Sequence, residues 1–136
     1  MIMKSILYSV LIVFVLSACS PGKTASIQGQ WKLVSYGSVP NQVPALADVD
    51  TMIEFDIEGR MSGNVGCNGF GGEYSIDGDT IKFGPVMSTM MFCEAVAEQE
   101  SSTLAVLQET VSFELNGNML TITSADGNSS IVLERK

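Results

Sequence analysis

The chain has 136 residues, enough for one domain with one core, and carries 15 acidic against 7 basic side chains for a formal net charge of -8. That balance argues against nucleic-acid partners and against polybasic attachment to anionic lipid headgroups. Histidine is absent, which removes His-activated nucleophiles and nearly all ordinary zinc sites.

Residues 1–18 read as a lipoprotein signal peptide. A single Lys4 precedes an apolar run over residues 6–16 that only Tyr8 and Ser9 interrupt, too short to remain as a membrane span. Leu16-Ser17-Ala18-Cys19 then matches the bacterial lipobox: a branched apolar residue, two small ones and a cysteine that receives diacylglycerol and becomes the first mature residue. Cys19 is therefore the expected lipidation site. An ordinary secretory leader would instead export a lone unpaired thiol to an oxidising compartment. Two or three acyl chains anchor stably where one binds only marginally. Ser20, rather than an acidic residue, follows the cysteine, which by resemblance to enterobacterial sorting favours the outer membrane over the inner. Loss of Lys4 with the leader makes the mature chain more acidic still. Residues 19–27, mostly small and polar, form a tether between lipid and domain.

The domain is expected over residues 28–136. Residues 30–36 have strand composition, with Trp31 and Leu33 on one face and Lys32 on the other. Residues 37–50 contain Pro40 and Pro44 and no clean period; a functional loop and a disordered excursion both fit. From Met52 the alternation places Ile53, Phe55 and Ile57 on one face and Met52, Glu54 and Asp56 on the other. Glu58-Gly59 turns the chain, and Met61, Gly63 and Val65 line the returning strand. After Gly72 a further pair of strands is predicted around an Asp77-Gly78-Asp79 turn. Two carboxylates on that turn fall short of the roughly six to eight oxygens that calcium takes.

Beyond Pro85 the period changes. Val96, Leu104 and Leu107, with Ala97 and Ala105 nearby, fit one stripe of a helix over residues 94–109, and Glu94, Glu98 and Glu100 in its first half complement the dipole. Ser101, Ser102 and Thr103 are poor interior formers, so a break or late start fits there. Three strands follow, through Val111, Phe113 and Leu115, through Leu120 and Ile122, and through Ile131 and Leu133, with Asn116-Gly117 and Asp126-Gly127 as two-residue hairpin turns. The expected fold is mainly β (α+β): about eight strands in a small curled antiparallel sheet or partly closed barrel, with one helix packed against it.

The densest feature is residues 63–74, GNVGCNGFGGEY, with Gly66, Gly69, Gly71 and Gly72 expected to let the chain bend sharply between two strands. No helix N-terminus follows to bind phosphate as a P-loop would. Asn68 and Phe70 on this bend are the candidate exposed recognition surface. Cys67 and Cys93 are expected to form a disulfide, with reduced structural thiols as the other reading; closing that loop stabilises a domain by about 3 to 4 kcal/mol in the chain-entropy model. Redox exchange is disfavoured because neither cysteine sits in a CxxC pattern or beside His or Lys. Met87, Met90 and Met91 with Cys93 have the softness for Cu(I), but core packing is the expected use of these methionines, and the disulfide would remove the thiolate. No cofactor and no metal is expected.

These residues also carry a resemblance. Gly63, Gly66, Cys67, Asn68, Phe70, Gly72 and Tyr74, then Phe83-Gly84-Pro85, the run Ser88-Thr89-Met90-Met91 before Cys93, Glu100 with Leu107 at its offset, and Trp31 near the start resemble the META domain family, which includes HslJ-like heat-inducible envelope lipoproteins. The resemblance covers essentially the whole mature domain. It implies a small β-rich envelope or secreted domain, linked in some bacteria to stress and novobiocin tolerance and without an established enzymatic activity. Its relatives are described as structurally similar to lipid-binding pilot proteins of secretion systems. The expectation is thus a non-enzymatic envelope lipoprotein, held to the outer membrane through Cys19, that binds an envelope partner or supports membrane integrity under stress. The alternatives are a carrier of a lipid or small hydrophobic ligand in a barrel cavity, and a secretion-pilot-like chaperone. An enzyme would have to use carboxylates such as Glu54, Asp56 and Glu58, whose spacing is that of a solvated strand face and its turn.

Overall fold

The computed structural model describes residues 26–136; the signal peptide, Cys19 and most of the tether lie outside the described residues. Ten strands are formed: β1 (Gly29–Ser38), β2 (Val43–Pro44), β3 (Met52–Phe55), β4 (Arg60–Asn64), β5 (Gly69–Asp77), β6 (Thr80–Phe83), β7 (Met87–Ser88), β8 (Thr110–Asn116), β9 (Met119–Thr123) and β10 (Ser129–Arg135). A 3-10 turn (Glu94–Val96) leads into the helix α1 (Ala97–Val106).

Eight of the strands close an antiparallel barrel in the order β1-β3-β4-β5-β6-β8-β9-β10, with β10 returning to β1. Closure leaves no barrel strand with a bare edge, so the sheet offers no unpaired strand to other chains. The closing pair runs from Trp31↔Arg135 to Ser38↔Ser129, with a shift in register between Leu33 and Ser35. The two longest strands each divide one edge between two partners. β1 pairs β3 over Gly29–Trp31 and β2 at Ser35 and Tyr36, while β5 pairs β7 at Phe70 and Gly71 and β6 over Tyr74–Asp77.

Inward-facing residues alternate along the strands as expected: Trp31 and Leu33, Ile53 and Phe55, Ile81 and Phe83, Leu120 and Ile122, Ile131 and Leu133 are all buried. They fill the interior, with Phe55 edge-on to Tyr74 at 5.1 Å between ring centroids. Ile27, just before the expected domain start, is also fully buried, and its carbonyl accepts a 2.7 Å hydrogen bond from the Trp31 indole. Arg135 lies over that indole at 4.3 Å and donates to the Gln28 and Ser26 carbonyls at 2.7 and 2.8 Å, tying the end of the chain to the tether's exit.

Several local expectations are corrected. Ile57 is 83 % exposed: β3 ends at Phe55, and the Asp56 carboxylate gathers the backbone N–H groups of Glu58 and Arg60 into a turn that carries Ile57 outward. The loop over residues 37–50 is ordered. It contributes β2, and the Gln42 side chain bridges Ser35 and Ser130. The Asp77-Gly78-Asp79 turn is where it was expected, with Asp77 already paired in β5, whereas the Asn116-Gly117 turn is displaced by one residue. Asp77 pairs Thr80 and Asn116 pairs Met119, so Gly78-Asp79 and Gly117-Asn118 make the turns. Ser124 to Asn128 is a longer loop, organised by the Asp126 carboxylate rather than by two central residues.

The helix is shorter than residues 94–109 and runs unbroken through Ser101, Ser102 and Thr103. Its buried stripe is Gln99, Thr103 and Val106; of the expected stripe, Leu107 just past the helix is fully buried and Leu104 packs against the core, while Val96 is only half-buried. Two members of the buried stripe are polar, so hydrophobic periodicity does not see them. Gln99 donates to the Val65 carbonyl at 2.6 Å and accepts from the Leu46 N–H at 2.8 Å, while the Thr103 hydroxyl returns to the Gln99 carbonyl at 2.7 Å. With those partners the cost of burying them is met.

Candidate functional site

The bend between β4 and β5, residues 65–68, is where the sequence motif acts. None of the motif's five glycines adopts positive φ. Gly69, Gly71 and Gly72 are extended residues of β5, so they do not make the bend that was expected of them. What the motif uses is the missing Cβ. A Cβ at Gly66 would stand 3.0 Å from the Val96 side chain, and one at Gly63 would strike the Met52 carbonyl and the Phe70 ring. The first lets the bend lie against the entry to α1; the second lets the Phe70 ring and the Met52 carbonyl approach β4 closely.

Glu100 receives that bend. Its Oε2 accepts the backbone N–H of Cys67 at 2.8 Å and of Asn68 at 2.7 Å, and its Oε1 accepts from the Asn68 amide. Burial alone would raise this carboxyl; the donors from the Asn68 side chain, the Asn68 backbone and the Cys67 backbone outweigh it and hold the group below the ordinary carboxylate range. In the sequence Glu100 stands out only as a complement to the helix dipole and as one position of the resemblance. Its role as a two-point acceptor was not legible, because the donors lie more than thirty residues away.

Asn68 extends the anchor to the segment before the helix. Its Oδ1 accepts from the Thr89 hydroxyl at 2.7 Å and the Met91 N–H at 2.8 Å, and its Nδ2 donates to the Met91 carbonyl at 2.9 Å. Asn68 is 5 % exposed and Phe70 is 6 % exposed. The candidate exposed recognition surface on these two side chains is therefore corrected: Asn68 spends its polar atoms inside the fold, and Phe70 faces the core. Cys67 and Cys93 lie at disulfide distance, with Cα atoms 6.1 Å apart, and join the same two segments.

The segment so held, residues 86–93, is a strap across the outside of the barrel. β7 pairs it to β5, and the Thr89 N–H donates to the Gly69 carbonyl at 3.0 Å. Val86 packs against the core, but from Met87 on, the strap's large apolar side chains point away from the barrel. Met90 is 94 % exposed, Phe92 83 %, Met87 78 % and Met91 60 %, so the expectation that these methionines pack in the core is overturned. The physical reason is the pinning itself: the inward face of the strap is taken up by Asn68, Cys93 and the β5 edge. A groove lies on either side. One, of about 570 Å³, is lined by Met52, Gly63, Phe70 and Met87 among others; the other, of about 620 Å³, runs between Met90, Met91, Phe92 and the helix residues Ala97, Glu98 and Leu104. Ser88 and Thr89 border both.

The remaining sequence candidates are separate from this site. Asp56 is committed to its turn: the Arg60 backbone N–H, then the Arg60 guanidinium at 2.9 Å, keep its carboxyl below the ordinary range. Asp77 ends β5 and Asp79 lies in the β5–β6 turn. Among the described residues no three His, Cys, Asp or Glu side chains gather as a metal site, and no helix is long and apolar enough to cross a membrane.

Comparison with known proteins places this arrangement. The family model of the META domain matches residues 24–136. The chain belongs to the META domain family. Solved structures share the fold. An NMR structure of a protein from Burkholderia xenovorans has a TM-score of 0.65 at 17% identity, covering 80% of this chain and 82% of its own. A second NMR structure has a TM-score of 0.61 at 21% identity over 79% of this chain and 88% of its own. A crystal structure of a DUF4847 family protein from Bacteroides vulgatus ATCC 8482 has a TM-score of 0.58 at 14% identity over 80% and 93%. At these identities the likeness is one of fold alone. No curated protein matches the chain. In this META domain the GCN motif and the helix residue Glu100 form one construction, the anchor of Cys67, Asn68 and Glu100 beneath the strap.

Proposed function

We propose that the chain is a non-enzymatic envelope lipoprotein, anchored through Cys19 and favouring the outer membrane, that acts by binding a protein partner with the strap at residues 86–93. One observation carries the reading: Met87, Met90, Met91 and Phe92 are exposed on a backbone that Asn68, bonded to both polar groups of Met91, and a cysteine pair hold in place. Contiguous exposed apolar side chains on a small domain mark interaction sites, and methionine adapts readily to a partner's shape. Fixing the backbone in advance lowers the ordering cost of association. A carrier function inside the barrel is less well supported, because Trp31, Phe55, Ile81 and Leu120 fill the interior and the two grooves at the strap are surface features.

The test is site-specific photocrosslinking in native membranes. A photoreactive residue at Phe92 is expected to give one discrete adduct with an envelope protein, while the same residue at Ile76, exposed on the β5–β6 hairpin, gives none. An identical diffuse pattern from both positions would overturn the proposal.

A further inference from the structure

The strap's surroundings carry charge of one sign only. Glu98 and Glu100 line the larger groove, Glu94 is exposed just before it, and no Lys or Arg lines either groove. The basic side chains of the described residues are few, and three are already engaged: Arg60 with Asp56 and Glu58, Arg135 over Trp31, and Lys136 with Asp50. Glu100 is committed to its backbone donors, so Glu98 and Glu94 are the carboxylates free to meet a ligand. The face therefore combines adaptable apolar side chains, two flanking grooves and an acidic border. That is the complement of a segment with one apolar side and one basic side, the pairing by which helix-in-groove surfaces select their targets.

We infer that the occupant of the strap is a cationic amphipathic segment of an envelope polypeptide, its apolar side chains entering the grooves beside Phe92 and Met87 and its Lys or Arg residues facing Glu98 and Glu94. This rests on the reading of the strap as a partner-binding face and adds the partner's chemistry. An anionic lipid surface or an acidic peptide would meet unfavourable charge at Glu98. A neutral lipid would leave the acidic border unused, and like-sign borders would oppose a second copy of this face.

The experiment uses the full mature chain in phosphatidylcholine nanodiscs, with empty nanodiscs as the baseline. Fluorescence anisotropy follows three labelled peptides: a Leu/Lys peptide patterned as an amphipathic helix, the same pattern with Glu for Lys, and a scrambled Leu/Lys peptide. The patterned Leu/Lys peptide is expected to bind above the baseline, more weakly as salt rises, and the other two not to. Phe92→Ser and Glu98→Lys, both at exposed positions, are each expected to weaken binding by about tenfold while the far-ultraviolet spectrum is unchanged. Equal binding of the Glu peptide, equal binding of the scrambled peptide, or insensitivity to Glu98→Lys would overturn the inference. So would failure of all three peptides to bind. A Phe92 crosslink to one envelope protein in native membranes alongside any of those results would leave the partner-binding reading standing with a partner of different chemistry.

Discussion

The two short strands outside the barrel, β2 and β7, do the same structural job and leave their loops in opposite states. Each pairs with half of a long barrel strand, and each belongs to an irregular connection held by a buried side-chain amide. On the β2 side the connection folds back onto the molecule. Ala45 packs against the core, the Ala45 N–H donates to Val34, Gln99 holds Leu46, and the apolar side chains Val39, Val43 and Leu46 are no more than half exposed. On the β7 side the backbone is held at least as firmly, by Asn68 at both polar groups of Met91, yet Met90 and Phe92 stand almost fully in solvent. The comparison teaches that exposure at the strap is not looseness. The same device that closes one loop over the core displays the other.

That contrast can be broken in order of effect. Replacing Cys67 and Cys93 by serine is expected to cost about 3 to 4 kcal/mol in denaturant unfolding, the loop-closure value for a separation of 26 residues. Loss of less than about 1 kcal/mol would mean that the pair contributes no cross-link. Asn68→Ala removes the strap's anchor and strips Glu100 of a donor, for about 2 to 3 kcal/mol. Its signature is local, since hydrogen exchange at the Met91 amide should accelerate while the Leu46 amide keeps its protection. Gln99→Ala is the mirror experiment, about 2 kcal/mol with protection lost at Leu46 and retained at Met91. Equal loss at both amides in both variants would dissolve the distinction between the loops.

The pH dependence sharpens the same point. Glu100 titrates lower in the folded chain than unfolded, so it contributes stability above the ordinary glutamate range and loses it as pH falls through its depressed folded value. Glu100→Gln should therefore be less stable than the parent at neutral pH, and the gap should narrow steadily on acidification. A gap that stays constant from neutral pH down would show that the carboxylate's charge is irrelevant to the anchor. The smallest effect on stability belongs to the strap's own side chains: Met90→Ser and Phe92→Ser should shift unfolding by no more than about 0.5 kcal/mol, because nothing in the fold packs on them.

What the sequence disclosed follows from which interactions are local. Alternation at Ile53 and Phe55, at Ile81 and Phe83 and at Leu120 and Ile122 marks strands with one face in the core, and these strands make the mainly β barrel with one helix that the alternation predicts. Closure by β1 and β10 was not readable, because Trp31 and Arg135 pair across the whole length of the domain. The polar anchors were hidden for a related reason. Gln99, Thr103 and Asn68 are buried because of particular distant partners, and hydrophobicity assigns such residues to the surface. Met90 and Phe92 fail the same rule in the other direction, being apolar residues that the anchored backbone holds outside. The glycine-rich motif was visible at once, but its glycines serve close approach rather than turning, and only the positions of Val96 and Phe70 reveal that.

The most direct test of the strap as an occupied interaction face is methionine oxidation footprinting with dilute hydrogen peroxide, on native membranes and on the purified chain, read peptide by peptide. Met61, buried in the barrel, is the internal reference and should resist oxidation in both. Met87, Met90 and Met91 should oxidise readily in the purified chain and be protected in native membranes, where the partner covers them. Equal and rapid oxidation of these three methionines in both preparations would contradict the account.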